Sequence, residues 1–196
     1  MPRREPAYER LDVDERRRRL LEIGIELFSR HSYAELSMAA IAREAGISKA
    51  LLYHYFPSKQ AYFVAALAQE AEQLAELTAA DPALPPAEQL THALDAFLAW
   101  VEDHADGYAK LLEGATTHAE VRELVDVVRA STAERILTGL AGDRPPRPAL
   151  RGAVTGWLWF MDGVLMDWLA HRDYGRDELR GLLLGTLMGA AASAGA

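Results

Sequence analysis

Cysteine is absent from this chain of 196 residues, which excludes a disulfide framework, thiolate metal ligands and a cysteine nucleophile. Lysine is scarce: only Lys49, Lys59 and Lys110 occur, two of them in the first third. Long hydrophobic runs are missing too. The longest charge-free stretch, residues 181–196, is 16 residues dotted with Gly and Ala, short of the roughly 20 apolar residues that a spanning helix needs. No apolar segment follows the opening Met1-Pro2-Arg3-Arg4-Glu5. The expectation is therefore no secretory signal, no membrane partner and a cytoplasmic location. Sustained two-residue alternation between turn signals is also lacking, which argues against β structure. Half of the residues are nonetheless hydrophobic, which excludes a disordered chain.

A formal net charge of −8 argues against nucleic acid as a partner when taken whole. Its distribution argues otherwise. Residues 1–60 carry 11 basic and 9 acidic side chains, a net of +2, whereas residues 61–196 carry 10 and 20, a net of −10. The pattern is a mildly basic head on an acidic body, with a domain boundary expected at residue 60 and Arg3 and Arg4 in a mobile N-terminal arm.

What is present is helical periodicity. Leu20, Ile23, Gly24, Leu27 and Phe28 fall on one helix face, as do Leu90, Leu94, Phe97, Leu98 and Val101. Leu179, Leu182, Leu183, Thr186 and Leu187 make the last such stripe. Serines at 37, 48 and 58 stand where a hydroxyl can cap a helix, and residues 142–148 hold three prolines in a strong loop signal. These breakers predict about nine helices. The fold class is all-α.

The segment Ser37–Lys59 is the most informative. Residues 38–46 read as a short helix ending at Gly46, and Ser48 caps a second, Lys49–Phe56, stopped by Pro57. Two short helices joined by a tight glycine turn make a helix-turn-helix. Ile41, Ala45, Ile47 and Leu52 would fill the wedge between them. The outer face of the second helix then presents Lys49, Ala50, Tyr53 and His54, groups able to reach base edges and phosphates.

The run Gly46-Ile-Ser-Lys-Ala-Leu-Leu-Tyr-His-Tyr-Phe-Pro-Ser-Lys59 closely resembles the DNA-binding head of TetR-type transcriptional regulators, and residues 15–66 fit that head. The resemblance implies a three-helix helix-turn-helix domain followed by a helical body that binds an effector and dimerises. It implies base reading by Lys49 and Ala50, a base or backbone contact by Tyr53, and phosphate approach by His54 and Tyr55. Lys59 matches a phosphate-binding lysine of the following helix, and Ser37 and Ser48 occupy caps that can also contact the DNA backbone. Leu51 stands where many members carry Thr, which removes a hydroxyl contact and permits one to a thymine methyl. Arg16–Arg19 either contact the backbone or form a solvated run paired with Glu15 and Glu22.

In the body, an effector cavity is sought at the central helix positions Phe63, Leu67, Phe97, Trp100, Tyr108, Leu112, Val128, Trp157, Phe160 and Met161, since such sites are mostly apolar. The tryptophans either line that cavity or fill core and interface. Asp162 interrupts the most apolar helix, and a buried carboxylate is costly unless paired. It forms a salt bridge with Arg151 or Arg129, recognises a cationic or hydrogen-bonding effector, or lies on the rim. The helix spanning 153–172 is apolar all round and needs a second covering surface. Residues 151–172 and 176–194 are therefore expected to form a homodimer seam through Trp159, Met166, Leu183, Gly185, Leu187, Gly189 and Ala190.

Histidines give no dependable metal set, and no catalytic triad order or phosphate loop appears. No cofactor is expected, and an enzyme is not. The reading is an effector-responsive homodimeric repressor of a near-palindromic double-stranded operator, released by a small apolar ligand. Two alternatives stand: a constitutive DNA binder without an effector, and a helical enzyme with a tethering head.

Overall fold

The computed structural model describes residues 13–31, 33–79, 81, 83–142 and 144–195; the arm expected around Arg3 and Arg4 lies outside them. Among the described residues there are nine helices and no strand. They are α1 Val13–Arg30, α2 Met38–Glu44, α3 Lys49–Tyr55, α4 Lys59–Leu77, α5 Pro86–Asp103, α6 Ala105–Thr117, α7 Ala119–Ala141, α8 Pro148–His171 and α9 Arg176–Ser193. The chain divides into two compact units, Met1–Ala66 and Leu67–Ala196, and α4 begins in the first and ends in the second.

In the first unit, Leu20, Leu21 and Phe28 of α1, Ile41 and Ala42 of α2, Leu52 of α3, Phe56, and Tyr62 and Phe63 of α4 form the core. Phe63 meets the Phe28 ring edge-on at 4.3 Å, and Phe56 meets Tyr62 at 4.9 Å. Acidic Asp14 and Glu15 begin α1 and Arg30 ends it, each complementing the helix dipole. Tyr62 donates its hydroxyl hydrogen to the Leu20 carbonyl at 2.5 Å. That approach requires Gly24, because a Cβ there would lie 2.7 Å from Tyr62 Oη.

The second unit is organised on α8. Its Leu150, Val154, Trp157, Leu158, Met161, Leu165 and Trp168 are buried against Leu94, Leu98 and Val101 of α5 and Leu179, Leu183 and Leu187 of α9. Two indole N–H groups secure this core. Trp157 donates to the Leu183 carbonyl at 3.0 Å, and Trp168 donates to the Tyr174 carbonyl at 2.9 Å. Helix α8 ends at Arg172, whose φ of 51° is left-handed, and the Arg172 guanidinium lies 4.1 Å over the Trp168 ring. No helix among the described residues is long and apolar enough to cross a membrane.

Candidate nucleic-acid interface

The surface of α3 follows from its two ends. Gly46 adopts a φ of 64°, the left-handed conformation that turns the chain between α2 and α3. Ser48 then caps α3, its Oγ accepting the Leu51 N–H at 3.1 Å. Ser37 does the same for α2, accepting from Ala40 at 3.2 Å. Each serine retains its own hydroxyl hydrogen for another acceptor. Leu52 and Phe56 anchor α3 inside, fully buried. Lys49, Ala50, Tyr53 and His54 consequently face outward, with Leu51 and Tyr55 half-buried at the flanks. Lys49 Nζ lies 5.7 Å over the Tyr53 ring, which groups a cation and an aromatic donor on one turn. Ala45 and Ile47, expected deep in the wedge, are half-buried.

Two further basic groups differ in use. Arg18 pairs with Glu15 at 2.8 Å and with Glu22, and Arg19 pairs with Glu15 at 3.1 Å. Within this run, Arg18 and Arg19 are thus paired with carboxylates of their own helix. Lys59 donates from Nζ to the Tyr33 carbonyl at 2.8 Å and to the Leu36 carbonyl at 2.9 Å. Its cation at the start of α4 is thus met by two backbone dipoles within the unit.

The residues anticipated for an effector cavity do not come together as one lining. Phe63 packs with Phe28 and Tyr33 in the first unit. Phe160 is 40 % exposed. Leu67, Leu112 and Val128 are half-buried on α4, α6 and α7, and Trp157 and Met161 are buried core residues of α8. Phe97, Trp100 and Tyr108 do meet: the Tyr108 ring lies 6.1 Å from Phe97 and 6.4 Å from Trp100. Trp100 also donates to Glu70 at 3.0 Å and stacks on His104 at 4.7 Å.

Asp162 is paired, and with Arg129. Arg129 donates to Asp162 Oδ2 from Nε at 3.0 Å and from Nη2 at 2.5 Å, while Tyr108 donates its hydroxyl hydrogen to Oδ1 at 2.7 Å. Burial, reinforced by the neighbouring Asp162 charge, pushes the Tyr108 phenol well above its ordinary pKa, so it stays a donor at neutral pH. Trp159 covers the outer side, with its ring 3.9 Å from the Arg129 guanidinium. Beside this group open two adjoining troughs between α7 and α8. One, of about 420 Å³, is lined by Leu137, Ala141, Arg144 and Arg151, and one, of about 200 Å³, by Arg129, Leu158 and Trp159; both share Ala130, Ala133 and Thr155. Sequence reasoning missed them because small alanines on a helix read as ordinary surface. Among the described residues, no three His, Asp or Glu side chains converge as a metal site requires.

The outer face of α8 and α9 corrects the expected seam in part. Leu183 and Leu187 are fully buried in the core of their own unit. They share a stripe with Leu179 and Ala191 at four-residue spacing, so a second subunit has no access to them. Trp159, Gly185 and Gly189 do face outward, and Met166 and Ala190 are half-buried. Met188, which the sequence reading missed, is exposed, and so is Leu182, which it put on the same face as the buried Leu183 and Leu187. Gly152, Gly156, Gly163, Gly181, Gly185 and Gly189 lie inside these helices, and a Cβ at any of them would meet nothing within 4 Å.

Comparison with known proteins matches both parts of the chain. Residues 20–66 match the model of bacterial regulatory proteins of the tetR family, and residues 86–190 match that of a tetracyclin repressor-like C-terminal domain. The crystal structure of a tetR-family transcriptional regulator from Streptomyces coelicolor is similar with a TM-score of 0.81 and 31% identity, over 94% of this chain and 83% of that one. The HTH-type transcriptional activator FasR of Mycolicibacterium smegmatis is 29% identical over 68% of this chain and 63% of its own length. The HTH-type transcriptional repressor KstR of Rhodococcus jostii is 37% identical over 39% of this chain and 36% of its own. The matched part thus spans less than two thirds of either curated relative.

Proposed function

Because the chain belongs to the TetR family of DNA-binding transcriptional regulators, we propose that it acts as a homodimeric repressor of a near-palindromic operator, released by a small and mainly apolar effector. Family membership sets aside the helical-enzyme reading, since the family and the relatives found are regulators of transcription. The observation that carries operator binding is the outer face of α3, where Lys49, Ala50, Tyr53 and His54 stand exposed on a helix fixed by Leu52 and the Ser48 cap. A helix of this kind enters a major groove, and two related by a twofold axis read half-sites about 34–36 Å apart.

A second copy is the surface best suited to Trp159, Phe160, Leu182 and Met188, which are large apolar side chains left exposed among the described residues. A Cβ at any of the six glycines inside α8 and α9 would meet nothing within 4 Å among the described residues, although each glycine costs about 1 kcal/mol relative to alanine. Close approach of a partner helix supplies a reason for them. The troughs between α7 and α8 are where we place effector entry. A ligand there meets Arg129, and through Asp162 it bears on Tyr108 of α6. Such a ligand releases DNA only by its differential affinity for the two states. Of the two relatives, the one matched at the higher identity, 37%, is named a repressor and the one matched over more of this chain is named an activator; we take repression on the first.

The test is selection of bound duplexes from a random library, followed by titration of Tyr53→Ala at fixed salt. A loss of about tenfold or more is expected, since a specific base contact contributes about 1–3 kcal/mol. Unchanged affinity overturns the assignment of α3. A constitutive binder is the competing reading, favoured by the tight packing of Trp157 and Met161. Thermal-shift screening with lipophilic compounds decides between them, because a bound effector stabilises the fold by mass action.

A further inference from the structure

We propose that Lys59 is a positioning residue, which clasps the turn between α1 and α2 to the start of α4 and so sets how α2 and α3 are presented to DNA. The inference rests on the DNA-binding role of the first unit and replaces the phosphate contact that resemblance assigns to this lysine.

An ammonium has three N–H donors. Two of those on Lys59 end on the carbonyls of Tyr33 and Leu36, at 2.8 and 2.9 Å, across 26 and 23 residues of chain. The same Nζ lies 4.2 Å from the centroid of the Tyr33 ring, whose face attracts a cation. The side chain is half-buried. A phosphate arriving here would find the charge already met on two carbonyl dipoles and an aromatic face.

What the clasp holds is the entry to the reading helices. Residues 33–36 lie between α1 and α2, outside both helices. Leu36 is buried, and the Tyr33 ring rests on Phe63 at 5.0 Å. The next residue, Ser37, caps α2. Helix α2 leads through the Gly46 turn into α3, the two being closed by the Ile47 N–H donating to the Ala42 carbonyl at 3.0 Å. A slack turn at 33–36 therefore loosens the starting point of α2, and α3 moves with it.

Lys59→Met keeps most of the aliphatic stem and removes the charge and the donors. Its binding to a duplex selected by the unaltered protein is measured between about 50 and 200 mM salt, alongside binding to an unrelated duplex. Positioning predicts at least about tenfold weaker specific binding at fixed salt, with the slope of log K against log salt unchanged and non-specific binding intact, together with faster amide exchange at residues 36–41 in the free protein. A phosphate contact, lost from both subunits of the dimer, predicts a slope shallower by about 1.8, equal losses on both duplexes and unchanged exchange, and that result overturns the proposal. Unaltered affinity of the Met variant overturns it as well. Should that variant fail to fold, Lys59→Gln, which keeps a donor without charge, carries the same measurement. An unchanged slope with exchange at residues 36–41 faster than in the unaltered protein supports the clasp, and a slope shallower by one phosphate per subunit overturns it.

Discussion

Arg129 places two of its donors on a single oxygen of Asp162, which leaves the other oxygen free to accept from Tyr108. One carboxylate thereby joins three helices: α6 through the phenol, α7 through the guanidinium and α8 through its own backbone. The pair is largely but not wholly buried, with side-chain exposures of 17% and 15%, and Trp159 shields its outer side.

Removal of one partner should cost more than removal of both. Arg129→Met leaves a poorly solvated carboxylate and is expected to destabilise the chain by about 3 kcal/mol, the lower end for breaking a buried pair. The double variant Arg129→Met/Asp162→Leu should recover part of that loss. Urea denaturation at pH 7 measures both, and a single variant as stable as the unaltered protein removes the structural role given to this pair.

Tyr108 makes stability depend on pH in one direction. Burial and the Asp162 charge raise its folded pKa above that of an unfolded tyrosine, which ionises near pH 10. The folded state therefore holds a proton that the unfolded state releases, so this stabilising contribution is complete below about pH 10 and declines as pH rises from there toward the folded pKa. Tyr108→Phe should show a shallower alkaline decline, and about 1.5–3 kcal/mol less stability at neutral pH from the lost charge-assisted hydrogen bond. Denaturation midpoints from pH 8 upward test this, and parallel curves for the two proteins would refute it.

Gly24→Ala tests close packing against helix propensity. In an unhindered helix the change stabilises by up to about 1 kcal/mol. Here the new Cβ lies 2.7 Å from Tyr62 Oη, and the expected outcome is a net loss of about 1–3 kcal/mol from overpacking. Tyr62→Phe in the same chain removes the oxygen but leaves ring carbons 2.8 and 2.9 Å from that Cβ, so it should restore little of the loss. A higher melting temperature for Gly24→Ala alone would contradict the contact.

Subunit pairing should respond to the outward face of α9 and not to its inward one. Met188→Glu places a charge on the proposed seam and should give a species near the 21.6 kDa chain mass by light scattering. Leu187→Ala should lower stability by about 2–5 kcal/mol, the cost of emptying a core site, while the native protein remains dimeric. A dimer that survives Met188→Glu at micromolar concentration would falsify the seam.

Legibility in the sequence followed the reach of the interactions. The caps at Ser37 and Ser48 and the turn at Gly46 were readable because each depends on residues within a few positions of itself. The inward placement of Leu52 and the outward placement of Tyr53 followed from helical period. Helix phase was harder in α9, where apolar residues occur on both faces. Leu182 shares the sequence stripe with Leu183 and Leu187, yet it faces out while they face in, because composition does not say which residues meet the chain's own core. The pairing of Asp162 was legible as a need for a cation, and the fold selected Arg129 from the two arginines considered. The clasp at Lys59 was not legible, since its acceptors are backbone carbonyls more than twenty residues away and every residue type offers one.

The Gly46 turn carries a consequence for genetics. A Cβ at this position would meet no atom within 4 Å, so a substitution there is penalised only by the φ of 64°. For a β-branched residue that strain is on the order of 1–3 kcal/mol, and it falls on the joint between α2 and α3 alone. Gly46→Val should then disable DNA reading while leaving the Leu67–Ala196 unit able to associate. In a cell holding both alleles, mixed dimers would bring only one working head to a two-half-site operator. The altered allele would behave as a dominant negative, whereas a core lesion such as Leu187→Ala would behave as a recessive loss.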